Sequence, residues 1–128
     1  MEVERFIEAY RDKPFVWGAR DCGTFAADWV RAQTRRDIWL PYAGYSTAMG
    51  AALALRRRGH ADIGDALSEA LDEKPVAKAA PGDVVTVDTR DGHAAGILSF
   101  AVVYVMSPGG VAMFDPARVT RAFSIYRD

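Results

Sequence analysis

The 128-residue sequence contains only one cysteine and two histidines. A single cysteine cannot form an internal disulfide, and so few Cys and His residues do not supply the ligands of a structural zinc site. We therefore expect no metal and no other cofactor.

The sequence also lacks a membrane-spanning segment, a signal peptide and a long basic tract. Its most apolar run, Ala94 to Met106, is shorter than the roughly 18–20 residues that a span needs, and it is interrupted by Gly96 and Ser99. The N-terminus, MEVERFIEAY, carries acids and no apolar core. The formal net charge is -1, which does not suggest nucleic acid as a partner. We expect a soluble protein with no export signal of its own.

The chain does have the composition of a packed domain, since 50% of its residues are hydrophobic. Residues 1–128 are predicted to form a single α+β domain, with helices in the first half and an antiparallel sheet in the second. Residues 73–80 are predicted to be a linker within it. The predicted helices are Val3–Arg11, Cys22–Thr34, Thr47–Arg58 and Ile63–Leu71, and the predicted strands are Asp83–Asp88, His93–Met106, Val111–Phe114 and Val119–Tyr126.

The stretch PFVWGARDCGTFAADWV, which starts at Pro14, places the only cysteine where a turn becomes a helix. Asp21 is a good N-cap type, so Cys22 falls among the unpaired N–H groups of the first helical turn. Those groups lower a thiol pKa, which makes Cys22 a candidate nucleophile. The alternative is a small buried apolar residue at the start of a core helix. Trp17 and Trp29, on either side of it, are predicted to be core residues.

Two separated motifs resemble the NlpC-type papain-like cysteine peptidases. The segment Pro14–Gly18 followed by Asp21–Thr24 is similar to the turn and nucleophile helix of that family. The segment Pro81–Val85, followed by Gly92–His93 and Gly96–Ile97, is similar to its second motif, in which a hairpin leads to the catalytic histidine. In size and spacing the chain looks closest to short members encoded beside tail-tip genes of tailed phages and gene transfer agents.

The resemblance implies a papain-like NlpC-type fold and a cysteine peptidase or amidase that acts on the stem peptides of cell-wall peptidoglycan. It further implies other tail-tip or hub proteins as partners and a location at the virion tail tip, after synthesis in the bacterial cytoplasm. In such an enzyme a thiolate attacks an amide carbonyl, an imidazole carries the proton and a third polar group orients the imidazole.

Cys22 fills the first of these roles and His93 is the candidate for the second, although a histidine at a turn can also be a water-exposed polar residue. His60 follows a helix C-terminus and is predicted to be a surface residue. The sequence has no asparagine and no histidine after His93, so the third group has to be of another type. Asp115 is the best candidate chemically. Ser107, Tyr104 and a backbone carbonyl are the others.

The second motif departs from the family pattern at one point. Ala94 and Ala95 separate the histidine from Gly96, where the family has a single residue. Either a bulge restores the aim of His93, or its side chain points away from Cys22. This departure supports a second reading, in which the chain is a structural tail-tip component that keeps the peptidase fold for docking. An active enzyme should have a Cys22 thiol of lowered pKa, and we expect weak or no activity for the isolated chain.

Overall fold

A computed structural model describes residues 2–126, so Met1 and the last two residues of the predicted domain lie outside it. The chain is α+β. The helices are α1 (Val3–Glu8), α2 (Cys22–Thr34), α3 (Ala48–Arg57) and α4 (Ile63–Ala70), and short 3-10 turns cover Leu40–Tyr42, Val76–Lys78 and Pro116–Arg118. The strands are β1 (Asp72–Lys74), β2 (Val84–Thr89), β3 (Gly92–Leu98), β4 (Val103–Ser107), β5 (Gly110–Phe114) and β6 (Val119–Ser124).

Helix α2 is the central helix, and both of its ends are those predicted from the sequence. Asp21 accepts from the N–H of Thr24 while the Thr24 hydroxyl accepts from the N–H of Asp21, which is a reciprocal capping box. Arg35 ends the helix in the left-handed conformation, with φ 66. The buried face of α2 packs on the sheet, mainly against β3, and carries Gly23, Phe25, Ala26, Ala27, Trp29 and Val30.

The six strands form one antiparallel sheet in the order β1-β6-β2-β3-β4-β5. The β2–β3 hairpin pairs without a register shift from Val84↔Ile97 to Thr89↔Gly92. Pairing of β3 with β4 covers only Ile97↔Tyr104 and Leu98↔Val103. The first part of β3 therefore extends beyond its paired segment with β4, and the start of α2 approaches it there.

The sheet must be strongly curled. Three strands separate β5 from β6 in the sheet order, which in a flat sheet would put them about 19 Å apart. The connection consists of Asp115 and a three-residue 3-10 turn, and it spans only about 13 Å. Arg118 in this connection lies 4.9 Å from the Phe114 ring on β5 and donates to the Asp88 carbonyl on β2 at 2.7 Å.

Curling gives the sheet two apolar faces with different contents. The helix-facing side carries larger residues, among them Ile97, Tyr104, Met106 and Phe123, which pack with α1, α2 and α4. The other face is filled by a separate cluster of smaller side chains: Val85, Val87, Ala94, Leu98, Val103, Val105 and Ala122. Cys22 is packed against both clusters, so it lies where the two faces meet.

Three predictions about these elements were wrong. The predicted strand from 93 to 106 is two strands, because a turn at 99–102 closes with a bond from the Ser99 N–H to the Val102 carbonyl at 2.8 Å. That turn contains no Gly or Pro, so nothing in its composition signals it. The predicted linker 73–80 begins with strand β1, a short charged strand at the sheet edge, whose residues Asp72–Lys74 show no apolar alternation.

The third concerns the tryptophans. Trp29 is 3% exposed and is a core residue as predicted, whereas Trp17 is 36% exposed and lies on the surface. Trp17 projects from a tight turn closed by a bridge between Val16 and Arg20, and its ring stacks edge-on against Phe15 at 4.9 Å. A five-residue turn has too little chain to bury an indole in its own interior. Among residues 2–126 no helix combines the length and apolar character needed to cross a membrane.

Candidate functional site

The start of α2 is held by a buried carboxylate. Asp21 is 1% exposed. One of its oxygens accepts from the N–H of Thr24 at 2.9 Å, and the other accepts from the N–H of Gly18 at 2.9 Å and from the Tyr45 hydroxyl at 2.5 Å. The aspartate thus ties the 16–20 turn, the helix start and the loop before α3 into one unit. The residue after it, Cys22, is fixed in position by the same contacts.

Residues of the 38–45 loop complete this support. The Trp39 indole donates to the Tyr45 hydroxyl oxygen at 3.1 Å. Its ring also lies so close to Gly23 that an added Cβ would sit 2.3 Å from it, and at Gly18 an added Cβ would sit 2.0 Å from the Tyr45 carbonyl oxygen. Both glycines are needed here because neighbouring groups occupy the space of a side chain. Burial and the bond to Asp21 raise the pKa of Tyr45, so this hydroxyl remains a donor.

Cys22 is partly buried: it packs against both apolar clusters, and backbone donors lie near its sulfur. Burial raises the pKa of the Cys22 thiol to about 11, and the Asp21 charge acts in the same direction. Backbone hydrogen bonds from Ala95, and from Cys22 and Gly23 at the helix start, act in the opposite direction. Burial outweighs the helix-start donors. The resting thiol is therefore protonated at neutral pH, which differs from the lowered pKa expected of a preformed thiolate.

His93 lies on β3, two residues before Ala95, and has a carboxylate partner. Its Nδ1 is 2.7 Å from an Asp88 oxygen, and the two residues are directly opposite each other in the β2–β3 hairpin. The side chains are 42% and 65% exposed. A carboxylate on Nδ1 fixes the ring orientation and leaves Nε2 available as the second nitrogen.

The first outcome expected from the extra residue after His93, a bulge, is not found. No bulge interrupts β3 between Gly92 and Ile97. Because side chains alternate along a strand, His93 shares a face with Ala95 and Ile97, which pack in the helix-side cluster. In this chain the helix-facing positions are thus the odd-numbered ones of β3. His93 thus lies on the strand that contacts Cys22 through Ala95, on the helix-facing side of that strand.

The other candidates lie elsewhere or have other partners. Asp115 accepts from the N–H of Ala117 at 2.8 Å and caps the turn between β5 and β6. The Ser107 hydroxyl donates to the Gly110 carbonyl at 2.8 Å, and Tyr104 is a core residue, 7% exposed. His60, beyond α3, has its Nε2 2.5 Å from Glu69 on α4. None of these contacts among the described residues orients His93.

Sequence reasoning missed Asp88 and Tyr45. Asp88 could have been found, because a turn over residues 89–92 pairs residue 89 with 92 and makes residue 88 the direct neighbour of residue 93. Tyr45 could not, since it is 24 residues from Asp21 and no spacing rule links the two. Within residues 2–126 no group of three or more His, Cys, Asp or Glu side chains is arranged to hold a metal ion.

Residues 1–125 match the model of a family described as a domain of unknown function, DUF6950. The match covers nearly the whole chain, and the protein belongs to that family. A search of curated proteins gave no match.

Proposed function

We propose that this member of the DUF6950 family is a papain-like, NlpC-type cysteine peptidase or amidase that cuts the stem peptides of bacterial peptidoglycan. The observation that supports this is a set of three groups carried by the start of α2 and the β2–β3 hairpin. A cysteine opens the helix, a histidine lies on the strand that the cysteine contacts, and a carboxylate holds Nδ1 of that histidine. This is the order of nucleophile, base and orienting group in cysteine and serine acyl transfer.

In this proposal the Cys22 thiol attacks the amide carbonyl, an S–C bond forms, and the thiol proton passes to Nε2 of His93. The negative oxygen that develops is stabilised by N–H groups at the helix start. The imidazolium then protonates the departing amine as the C–N bond breaks. Water, deprotonated by the same imidazole, hydrolyses the thioester and restores the thiol. Asp88 keeps the ring in one orientation throughout.

Because the pKa of Cys22 is raised, His93 has to remove the thiol proton during the reaction, which is not needed in a site with a resting thiolate. A thiol with a pKa of about 11 is almost entirely protonated at pH 7, so the proton must leave during the attack. The substrate class and the tail-tip location are proposed on the motif resemblance, carried by the Trp17-Gly18 turn and the Asp21-Cys22 helix start.

The alternative proposal is a structural tail-tip or hub component that keeps this fold for docking. It is favoured by the protonated thiol of the partly buried Cys22 and by the exposure of His93, whose side chain is 42% exposed. In that case the Asp21 network serves only to stabilise the start of α2.

The test is the release of soluble fragments from purified peptidoglycan by the whole chain and by variants. Cys22→Ala should abolish release, and His93→Ala should lower its rate by about 10²–10⁴-fold because general-base catalysis is lost. Asp88→Asn should lower the rate roughly tenfold or more. Asp115→Asn is the matched control and should leave it unchanged. If wild type, alone and in assembled particles, releases no more than Cys22→Ala, the enzyme proposal is wrong.

A further inference from the structure

Helix α3 has an exposed apolar side that the fold does not use. None of its ten residues is buried. Met49 is 74% and Leu53 43% exposed, and residues four apart lie on the same side of a helix. The same helix ends in Arg56 and Arg57, both exposed.

A groove runs between α3 and the 41–45 loop. It consists of two adjoining hollows of about 230 and 220 Å³, each large enough for one or two side chains. Most of its lining residues are uncharged, and the only charged groups in it are arginines. The residues common to both hollows are Tyr42, Ala43, Ala54 and Arg57, and Leu53 extends the first while Pro41 and Arg58 extend the second.

The two arginines differ in their partners. Arg58 is 2.6 Å from a Glu69 oxygen on α4, so its charge is already paired. Arg57 has no ion-pair partner among residues 2–126. Within the part of the chain that the structure describes, the groove therefore combines one mainly apolar hollow, one hollow of mixed polarity and one arginine without an ion-pair partner, and no acidic group lines it.

We propose that this groove, formed by α3 and residues 41–45, docks an acidic segment of another protein. Apolar side chains of the segment occupy the two hollows, and a carboxylate next to them pairs with Arg57. Charge complementarity and concave shape carry the proposal.

Two other occupants fit less well. A second copy that paired through α3 in parallel would bring Arg56 and Arg57 of both chains together. An antiparallel pairing would bring them to the positive N-terminal end of the neighbouring helix. A protein that binds a bilayer surface presents a convex apolar face to it. This groove is concave, and its hollows have the size of separate side chains.

The experiment uses the ¹⁵N-labelled full chain and two peptides, acetyl-LEELLEEL-amide and its lysine counterpart acetyl-LKKLLKKL-amide. The acidic peptide should shift the backbone amide signals of residues 41–45 and α3, and the lysine peptide should bind at least about tenfold more weakly. Added salt should lower the affinity of the chain for the acidic peptide, because it screens the charge interaction. Arg57→Glu should reverse the preference. Arg56→Glu, the same charge change on the same helix outside the groove, should retain it.

The proposal is wrong if neither peptide shifts these signals, if both do so equally, or if Arg56→Glu and Arg57→Glu have the same effect. It is also wrong if the signals of α3 change with protein concentration alone, which would indicate a second copy, or only with anionic vesicles. The proposal does not depend on catalysis. Cys22→Ala should bind the acidic peptide as wild type does, so this test and the peptidoglycan test can fail separately.

Discussion

Helix α2 begins behind an aspartate cap and α3 behind a threonine cap, and both caps accept from a backbone N–H in the first turn. Their surroundings are opposite. Six residues of α2 are buried and none of α3 is. The comparison shows that local helix signals are independent of whether a helix belongs to the core. The buried apolar residues of α2 stabilise the fold, whereas Met49 and Leu53 of α3 remain available for contacts outside it.

The largest effect is expected when one apolar side chain is removed from each helix. Trp29→Ala should lower the free energy of unfolding by about 3–5 kcal/mol, because it leaves a cavity beside Phe6 and removes the indole bond to the Gly82 carbonyl, 2.8 Å long. Leu53→Ala should cost less than about 1 kcal/mol, since its side chain is 43% exposed. Urea denaturation followed by circular dichroism measures both.

Trp29→Phe is the control for the aromatic volume. It keeps most of the packing but loses the bond to Gly82. Its loss in free energy of unfolding should therefore fall between those of Trp29→Ala and Leu53→Ala. Equal losses for Trp29→Ala and Leu53→Ala would mean that α3 contributes to the core as α2 does, contrary to the burial of the two helices.

The next test removes the N-cap side chain of each helix. Asp21→Ala should lower the free energy of unfolding by roughly 2–4 kcal/mol, because it removes a cap and also leaves the Gly18 N–H and the Tyr45 hydroxyl without their acceptor. Thr47→Ala removes one exposed bond of 3.0 Å to the Gly50 N–H and should cost about 0.5–1 kcal/mol. The same urea titrations decide it.

Asp21→Asn separates the two contributions of Asp21. The amide can still cap the helix, but it has one acceptor oxygen where three donors converge, so an intermediate loss is expected. If Asp21→Ala costs no more than Thr47→Ala, the network through Tyr45 and Trp39 adds nothing to the cap.

The sequence predicted what local patterns determine. The bounds of α2 follow from Asp21 and from the apolar spacing after Cys22, and the β2–β3 hairpin follows from the two predicted strands on either side of residues 89–92. It did not predict β1, whose pairing is provided by β6 from the other end of the chain. It also did not predict the turn at 99–102, which lies inside the apolar run 94–106 and contains neither Gly nor Pro. Long-range pairing and tertiary context decide such elements.

The same limit applies to the site. The position of Cys22 at a helix start predicts a lowered thiol pKa, and α2 does begin at Cys22. The opposing contribution, burial between two apolar clusters, depends on how α2 packs on the curled sheet and is not encoded near residue 22. Position on a helix was thus predictable, and the dielectric environment of that position was not.

The last test isolates this environment, because both helices have the same type of first position. Ala48 is the first residue of α3 and is exposed, whereas Cys22 is the first residue of α2. In a Cys22→Ser background, Ala48→Cys should have a thiol pKa of about 8.5 or below. The wild-type Cys22 thiol has a pKa of about 11. Iodoacetamide should therefore label Cys22 about a hundredfold more slowly than Ala48→Cys at pH 8, since thiolate is the reactive form.

The free energy of unfolding should also depend on pH through Cys22. The pKa of Cys22 is higher in the folded chain than in the unfolded chain, so its protonated form contributes stability below about pH 8.5, and this contribution is lost as pH rises towards 11. Between these values the free energy of unfolding should fall more steeply for wild type than for Cys22→Ser. Burial also raises the pKa of Tyr10 and of Tyr45, so their contribution to stability is lost from about pH 10 upwards in both chains. If Cys22 is labelled as fast as Ala48→Cys, the start of α2 is open to solvent, and the helix-start donors outweigh burial after all.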